Sequence, residues 1–164
     1  MKTLSGFAAT TLLLASVVAS AVEPPQMKEG LWSIRSQSAT NPGSKASDHT
    51  ATICRSHAFD QKVRQAQKSM PGCKTISEAL QGNEYSVRTQ CTVRGSQIDS
   101  LSTVTFNGDS SAHSENHATY KPALDGVAEM TLTQDQKYLG ACPAGAQAGD
   151  ITAPDGTVIH GATH

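Results

Sequence analysis

From Cys73 onward apolar and polar side chains alternate, the period of a strand with one dry face and one wet face. Between residues 85 and 94 the apolar side chains Tyr85, Val87, Cys91 and Val93 fall at odd positions, and Ser86, Arg88, Gln90, Thr92 and Arg94 are polar. Gly95-Ser96 turns the chain into a strand over Ile98–Phe106 with Val104 and Phe106 inward. Asn107-Gly108 is a hairpin signal leading to a strand over Ser111–Lys121. A break at Pro122–Gly126 precedes Val127–Leu139, where Ala128, Met130 and Leu132 alternate with Glu129, Thr131 and Thr133. Upstream, Gly30–Ser36 reads as a first strand with Trp32 and Ile34 on one face and Trp32 as core anchor, and Ala51–Cys54 as a short second strand. The polar, Pro/Gly/Ser-containing stretch 37–50 between them reads as a long loop.

The one change of period comes at Phe59–Ser69. Phe59, Val63, Ala66 and Met70 recur at helical spacing, with Asp60 in the first turn, Lys68 in the last, and Pro71-Gly72 as a stop. This predicts a single short helix whose apolar stripe covers the core. The fold class is therefore mainly β: a curved antiparallel meander or open barrel of about seven strands with one short helix.

The ends of the chain differ in character. Met1–Ala21 has Lys2, an apolar run over Ala8–Val18 and the small residues Ala19-Ser20-Ala21, the three regions of a secretory signal cleaved after Ala21. The run falls short of the ~20 residues that span a bilayer, so no membrane span is expected, and a soluble, exported protein is. Residues 143–164, rich in Ala and Gly, predict a disordered tail, leaving 22–142 as a single β-rich domain.

Export changes how the four cysteines are read, since an oxidising compartment makes two disulfides the default, with three possible connectivities. The segment 73–91 reads as strand, turn at Gly82-Asn83, and strand, and pairing about that turn brings Cys73 and Cys91 within one residue of direct opposition. A Cys73–Cys91 bridge leaves Cys54–Cys142 to tie the early chain to the end of the last strand. No two cysteines have C-x-x-C spacing, which excludes a thioredoxin-like motif, a zinc ribbon and a c-type haem site.

Composition narrows the function classes further. Without the leader, six aromatics remain: Trp32, Phe59, Tyr85, Phe106, Tyr120 and Tyr138. Such a core is small, and crosslinks accompany small cores. Loss of Lys2 takes the formal charge from −1 to −2, which gives no electrostatic case for nucleic acid or an anionic membrane. No nucleophile elbow, phosphate loop, dinucleotide fingerprint or H-E-x-x-H motif occurs, and no catalytic residue or cofactor-binding residue is assigned.

The most suggestive constellation is His113, Glu115 and His117, which a strand projects from one face. Residues two apart lie ~6.6 Å from each other and residues four apart ~13 Å, so a zinc or copper ion could be shared by neighbours but not by all three. The plainer reading of these residues is the polar outer face of a surface strand. His160 and His164 repeat an i, i+4 spacing inside the tail, His49 and His57 stand alone, and Asp109 reads as a turn residue. Arg88 and Arg94 share the polar face of one strand.

Taken in order, the leader, Lys28-Glu29-Gly30-Leu31-Trp32 opening a strand, Cys54, Cys73-Lys74, Cys91, Phe106-Asn107-Gly108-Asp109 and Tyr138-Leu139-Gly140-Ala141-Cys142 resemble the Gram-negative periplasmic family filed as domain of unknown function 3617. The resemblance runs from about Met27 to Cys142. It implies a periplasmic β-rich domain with the same four cysteines and supplies no activity, catalytic residue or ligand. The loop at 37–50 lacks the Met/Pro-rich character of many relatives, and the 22-residue tail is extra. These features lead to a non-enzymatic module that takes an unknown small or extended ligand on the concave face of its sheet. The alternatives are an envelope protein that docks a partner through a strand edge or the tail, and a metal-binding protein.

Overall fold

A computed structural model describes residues 22–161. The leader expected over 1–21, and His164, lie outside the described residues. The described residues form a single antiparallel sheet with one helix. Its strands are β1 (Gly30–Thr40), β2 (Ser47–Arg55), β3 (Cys73–Gln81), β4 (Glu84–Val93), β5 (Ser96–Asn107), β6 (Ser111–Leu124), β7 (Val127–Gly140), β8 (Ile151–Thr152) and β9 (Val158–Ile159), and α1 (His57–Lys68) joins β2 to β3. Their spatial order is β3-β4-β5-β6-β7-β1-β2-β8-β9, so the sheet is open, with β3 and β9 at its edges. The seven long strands match the predicted count, and two two-residue strands are added.

Turn chemistry sets the meander. Asp125 and Gly126 both adopt positive φ (51° and 82°), as do Arg94 and Gly95 (48° and 82°), the pattern of a two-residue turn whose twist suits a hairpin. The second turn thus falls one residue before the Gly95-Ser96 read from sequence. Ser96 is instead the first residue of β5, fully buried, and its hydroxyl donates to the Pro122 carbonyl at 2.7 Å. In the β3–β4 hairpin, Gln81 faces Glu84 and Ser77 faces Arg88 until a bulge between Thr75 and Ser77 shifts the register. That shift removes the one-residue offset, so Cys73 stands directly opposite Cys91 and the two are disulfide-bonded. Cys54 and Cys142 form the second disulfide.

Three expectations are corrected. The long loop over 37–50 shrinks to 41–46, because β1 continues through Thr40 and β2 begins at Ser47. Small hydroxylated residues look loop-like locally, yet here Ser38 pairs with both β2 and β7, Thr40 pairs with β7, Ser47 and Thr50 pair with β1, and Ser38 Oγ meets Ser47 Oγ at 2.7 Å. The tail is not disordered over 143–161. β8 adds to the free edge of β2 through Thr52–Thr152 and Ile53–Ile151, and Asp150 is buried, accepting from the Gln147 N–H at 2.8 Å and lying 3.0 Å from His160 Nδ1. Finally, α1 starts at His57 rather than Phe59, since Ser56 caps it by accepting from the Phe59 N–H. Its apolar stripe does not close over the core: no residue of α1 is buried, and Val63 is 38% exposed.

The buried core gathers at one end of the sheet. Met27, Trp32, Phe106 and Ala112 form it, with Ile53, Tyr85, Val104 and Tyr138 packed around them. Trp32 is the anchor: it is wholly buried, its indole N–H donates to the Lys28 carbonyl at 2.9 Å, and the Tyr138 ring meets it edge-on at 5.7 Å. The entry segment is held down at Asp109, whose carbonyl accepts from the Lys28 N–H at 2.9 Å and whose carboxylate pairs with Lys28 Nζ at 3.2 Å.

Candidate functional site

The α1 cleft is the space that the unburied stripe of α1 leaves above the sheet. Its volume is about 350 Å³, at the small end of ligand clefts. Ile34 of β1, Ile53 of β2, Tyr85 of β4, Val104 of β5, Ala112 of β6 and Gln136 of β7 form its floor, so six strands curl beneath one helix. Phe59 and Val63 line it from α1, and Pro24–Met27 close one side. The floor follows from the period-two pattern: residues that alternate inward on every strand meet under the helix that bridges β2 and β3.

Arg55 organises one wall. Its guanidinium makes a bidentate contact with Asp60 (3.1 and 3.0 Å), donates to Gln136 Oε1 at 2.9 Å, and lies 5.0 Å over the Trp32 ring. A planar fork is suited to pairing and stacking at once. Asp60, in the first turn of α1, thereby pins the helix start to β2 and β7. His57 adds a second pin: its Nε2 lies 2.9 Å from the Met27 carbonyl, while its own N–H donates to Glu29. At the far end, Lys68 pairs with Glu78 of β3 at 3.1 Å. Glu78 also accepts from the Tyr85 hydroxyl. Burial, then that bond to a carboxylate, drives the Tyr85 phenol well above its ordinary value, and the positive charge of Arg64 opposes the rise.

Arg64 also lines the cleft, half-buried in the middle of α1. Unlike Arg55 and Lys68, it has no ion-pair partner among the described residues. Nothing in the sequence singles out Arg55, His57 or Arg64. The spacing of Arg64 from Phe59 and Asp60 was the available signal, and it reads equally well as a solvated helix face.

His113, Glu115 and His117 share the outer face of β6, as their spacing predicts. Asp135, opposite His113 on β7, lies 2.7 Å from His113 Nδ1, and Glu115 lies 3.4 Å from Nε2. The Asp135 carboxylate, then Glu115, raise the His113 pKa above its ordinary value. His117 instead approaches Glu129 at 3.9 Å. The three are therefore not brought to a common point, and among the described residues no three His, Cys, Asp or Glu side chains are grouped so as to hold a metal ion. Farther along the same face Arg35 makes a bidentate contact with Asp48, whose pKa falls to about 2 through that bond and a second from Gln37. Arg88 is likewise paired with Asp99 at 3.0 Å, and Arg94 with Asp125 at 2.5 Å, linking two hairpin turns. This face is a ladder of exposed ion pairs. No helix among the described residues is long and apolar enough to cross a membrane.

No curated protein matches the chain. Residues 27–142 match a family, and the matched segment carries β1–β7, α1, all four cysteines and the cleft lining except Pro24, Pro25 and Gln26, ending before β8 and β9. The chain belongs to the family described as Protein of unknown function (DUF3617).

Proposed function

We propose that this protein is an exported, periplasmic, non-enzymatic module that binds a small or extended ligand in the cleft between α1 and the sheet. One observation carries the reading: an amphipathic helix, pinned at both ends, holds its apolar stripe over the sheet without burying it. Phe59 and Val63 then face Ile34, Val104 and Tyr85 across a space of about 350 Å³. Clefts of this kind, mostly apolar with a few placed polar groups, are where small ligands are held. Two disulfides suit an oxidising compartment. The test is native mass spectrometry of protein isolated under non-denaturing conditions, followed by extraction of the released small molecule. A discrete bound mass supports the reading. A homogeneous apo mass, together with no binding of any added amphiphile, overturns it.

A partner-docking envelope role rests on the edge strand β3, where Ile76 and Leu80 are 43% and 38% exposed. The bulge at Ile76 interrupts the regular ladder that strand addition uses, and β8 already occupies the edge of β2. The ligand cleft is therefore the better-supported site.

A further inference from the structure

The cleft wall carries three charged side chains, Arg55, Asp60 and Arg64. Arg55 and Asp60 neutralise each other in a bidentate pair whose side chains are only 18% and 14% exposed. Asp60 is thus not free to hold a cationic ligand. That leaves Arg64, half-buried, as one uncompensated positive charge. The nearby carboxylate of Glu78 is engaged by Lys68 and by the Tyr85 hydroxyl. The rest of the lining is apolar or neutral, with Gln26, Gln67, Gln134 and Gln136 supplying the amides and His57 an imidazole held by the Met27 carbonyl. A guanidinium beside an apolar floor is complementary to a molecule with one anionic end and a hydrocarbon body: the fork geometry suits a carboxylate, and half-burial strengthens the contact.

Building on the ligand-cleft reading, we propose that the ligand is an anionic amphiphile of the fatty-carboxylate class, its head group held by Arg64 and its chain lying over Val104 and Ile34 beneath Phe59 and Val63. Val63, 38% exposed, marks the side from which the chain enters.

The experiment titrates the purified protein, disulfides intact, with decanoate, decanol and decyltrimethylammonium below their micelle-forming concentrations. Affinity is read by calorimetry, and the site by the methyl resonances of Ile34, Val63 and Val104. Decanoate is expected to bind at least about tenfold tighter than decanol, the worth of a charge-assisted contact. Arg64→Gln abolishes that preference with decanol binding unchanged, and Arg64→Lys keeps most of it. Unchanged far-UV dichroism and Trp32 fluorescence show that each variant is folded. If decanol binds as tightly as decanoate, if decyltrimethylammonium binds best, if Arg64→Gln leaves the preference intact, or if the three methyls do not move, the Arg64 assignment is overturned while a cleft for other ligands can stand. If none of the three probes binds, this inference falls; the ligand-cleft reading falls with it only when native mass spectrometry also finds a homogeneous apo protein.

Discussion

Replacing Trp32 with Phe tests the account of the core most directly. Trp32 is the protein's one tryptophan and is wholly buried. Phe keeps an aromatic ring but removes the second ring and the indole N–H, which orphans the Lys28 carbonyl (2.9 Å from Nε1) and weakens the stacking of Arg55 at 5.0 Å. The lost hydrogen bond is worth about 1 kcal/mol, and the unfilled volume adds about 1–2 kcal/mol because a packed sheet relaxes only in part. Trp32→Phe should therefore destabilise by about 2–3 kcal/mol, and Trp32→Ala by about 4–5 kcal/mol, much of a small domain's stability. The assay is urea unfolding followed by far-UV circular dichroism, since the substitution removes the fluorophore; the slope with urea should not change. A double-mutant cycle with Arg55→Met should give a coupling of at least about 0.5 kcal/mol. A Trp32→Phe loss below about 1 kcal/mol at unchanged slope would refute the claim that this side chain anchors the core.

The two disulfides should contribute unequally. Their sequence separations of 88 and 18 residues correspond, by chain entropy, to about 4.6 and about 3.2 kcal/mol. The double replacement Cys54→Ala/Cys142→Ala should thus cost more in urea than Cys73→Ala/Cys91→Ala, and the reverse order would defeat the loop-length argument. Gly30→Ala is expected to destabilise by more than about 3 kcal/mol, because Gly30 has φ +137° and a Cβ there would stand 2.3 Å from the Gly140 carbonyl oxygen. Gly126→Ala, with φ +82° but nothing within 4 Å, should lose only about 1–2 kcal/mol, so equal thermal-melt shifts would discredit the clash. For His113, whose pKa is raised in the fold above 6.5, the stabilisation is present in full below 6.5 and is lost as pH rises through the folded value. An NMR titration should show that rise shrinking in Asp135→Asn; an unshifted wild-type imidazole would contradict the Asp135 pair.

Much of the sheet was legible because its strands are one-sided. Tyr85, Val104 and Phe106 turn inward as their alternation requires, and Cys73 meets Cys91 as hairpin pairing implies. What the pattern could not supply is spatial convergence. Arg55 falls just after the short strand read over Ala51–Cys54, and its partners Asp60, Gln136 and Trp32 come from three other elements. Gln37–Thr40 looked like a loop because serine and threonine satisfy their hydroxyls locally as readily as in a ladder, and tertiary pairing decided between them. The tail looked unstructured because its strands are two residues long. They exist through the edge of β2 and through Gly149, which adopts φ +99° against the ring of Phe59.

The helix supplies the remaining step. Twelve residues are too few for a stable helix in water on propensity alone, so α1 depends on what holds it. Those holds are at its ends: the Ser56 cap and the Arg55–Asp60 pair at the start, the Lys68–Glu78 pair at the finish. Its middle, from Val63 to Gln67, contributes little burial, since no residue of α1 is buried. An apolar stripe left half-wet gives up roughly 25 cal/mol for each Å² that could have been covered. Shortening the connection or enlarging a core side chain such as Ala112 would recover that energy by closing the cleft. The fold instead fastens α1 with polar contacts beside a floor whose side chains, Tyr85 aside, are small or medium. That division, stability at the ends and unmet apolar surface in the middle, is what a roofed binding cleft requires and what a helix serving only the core would lack.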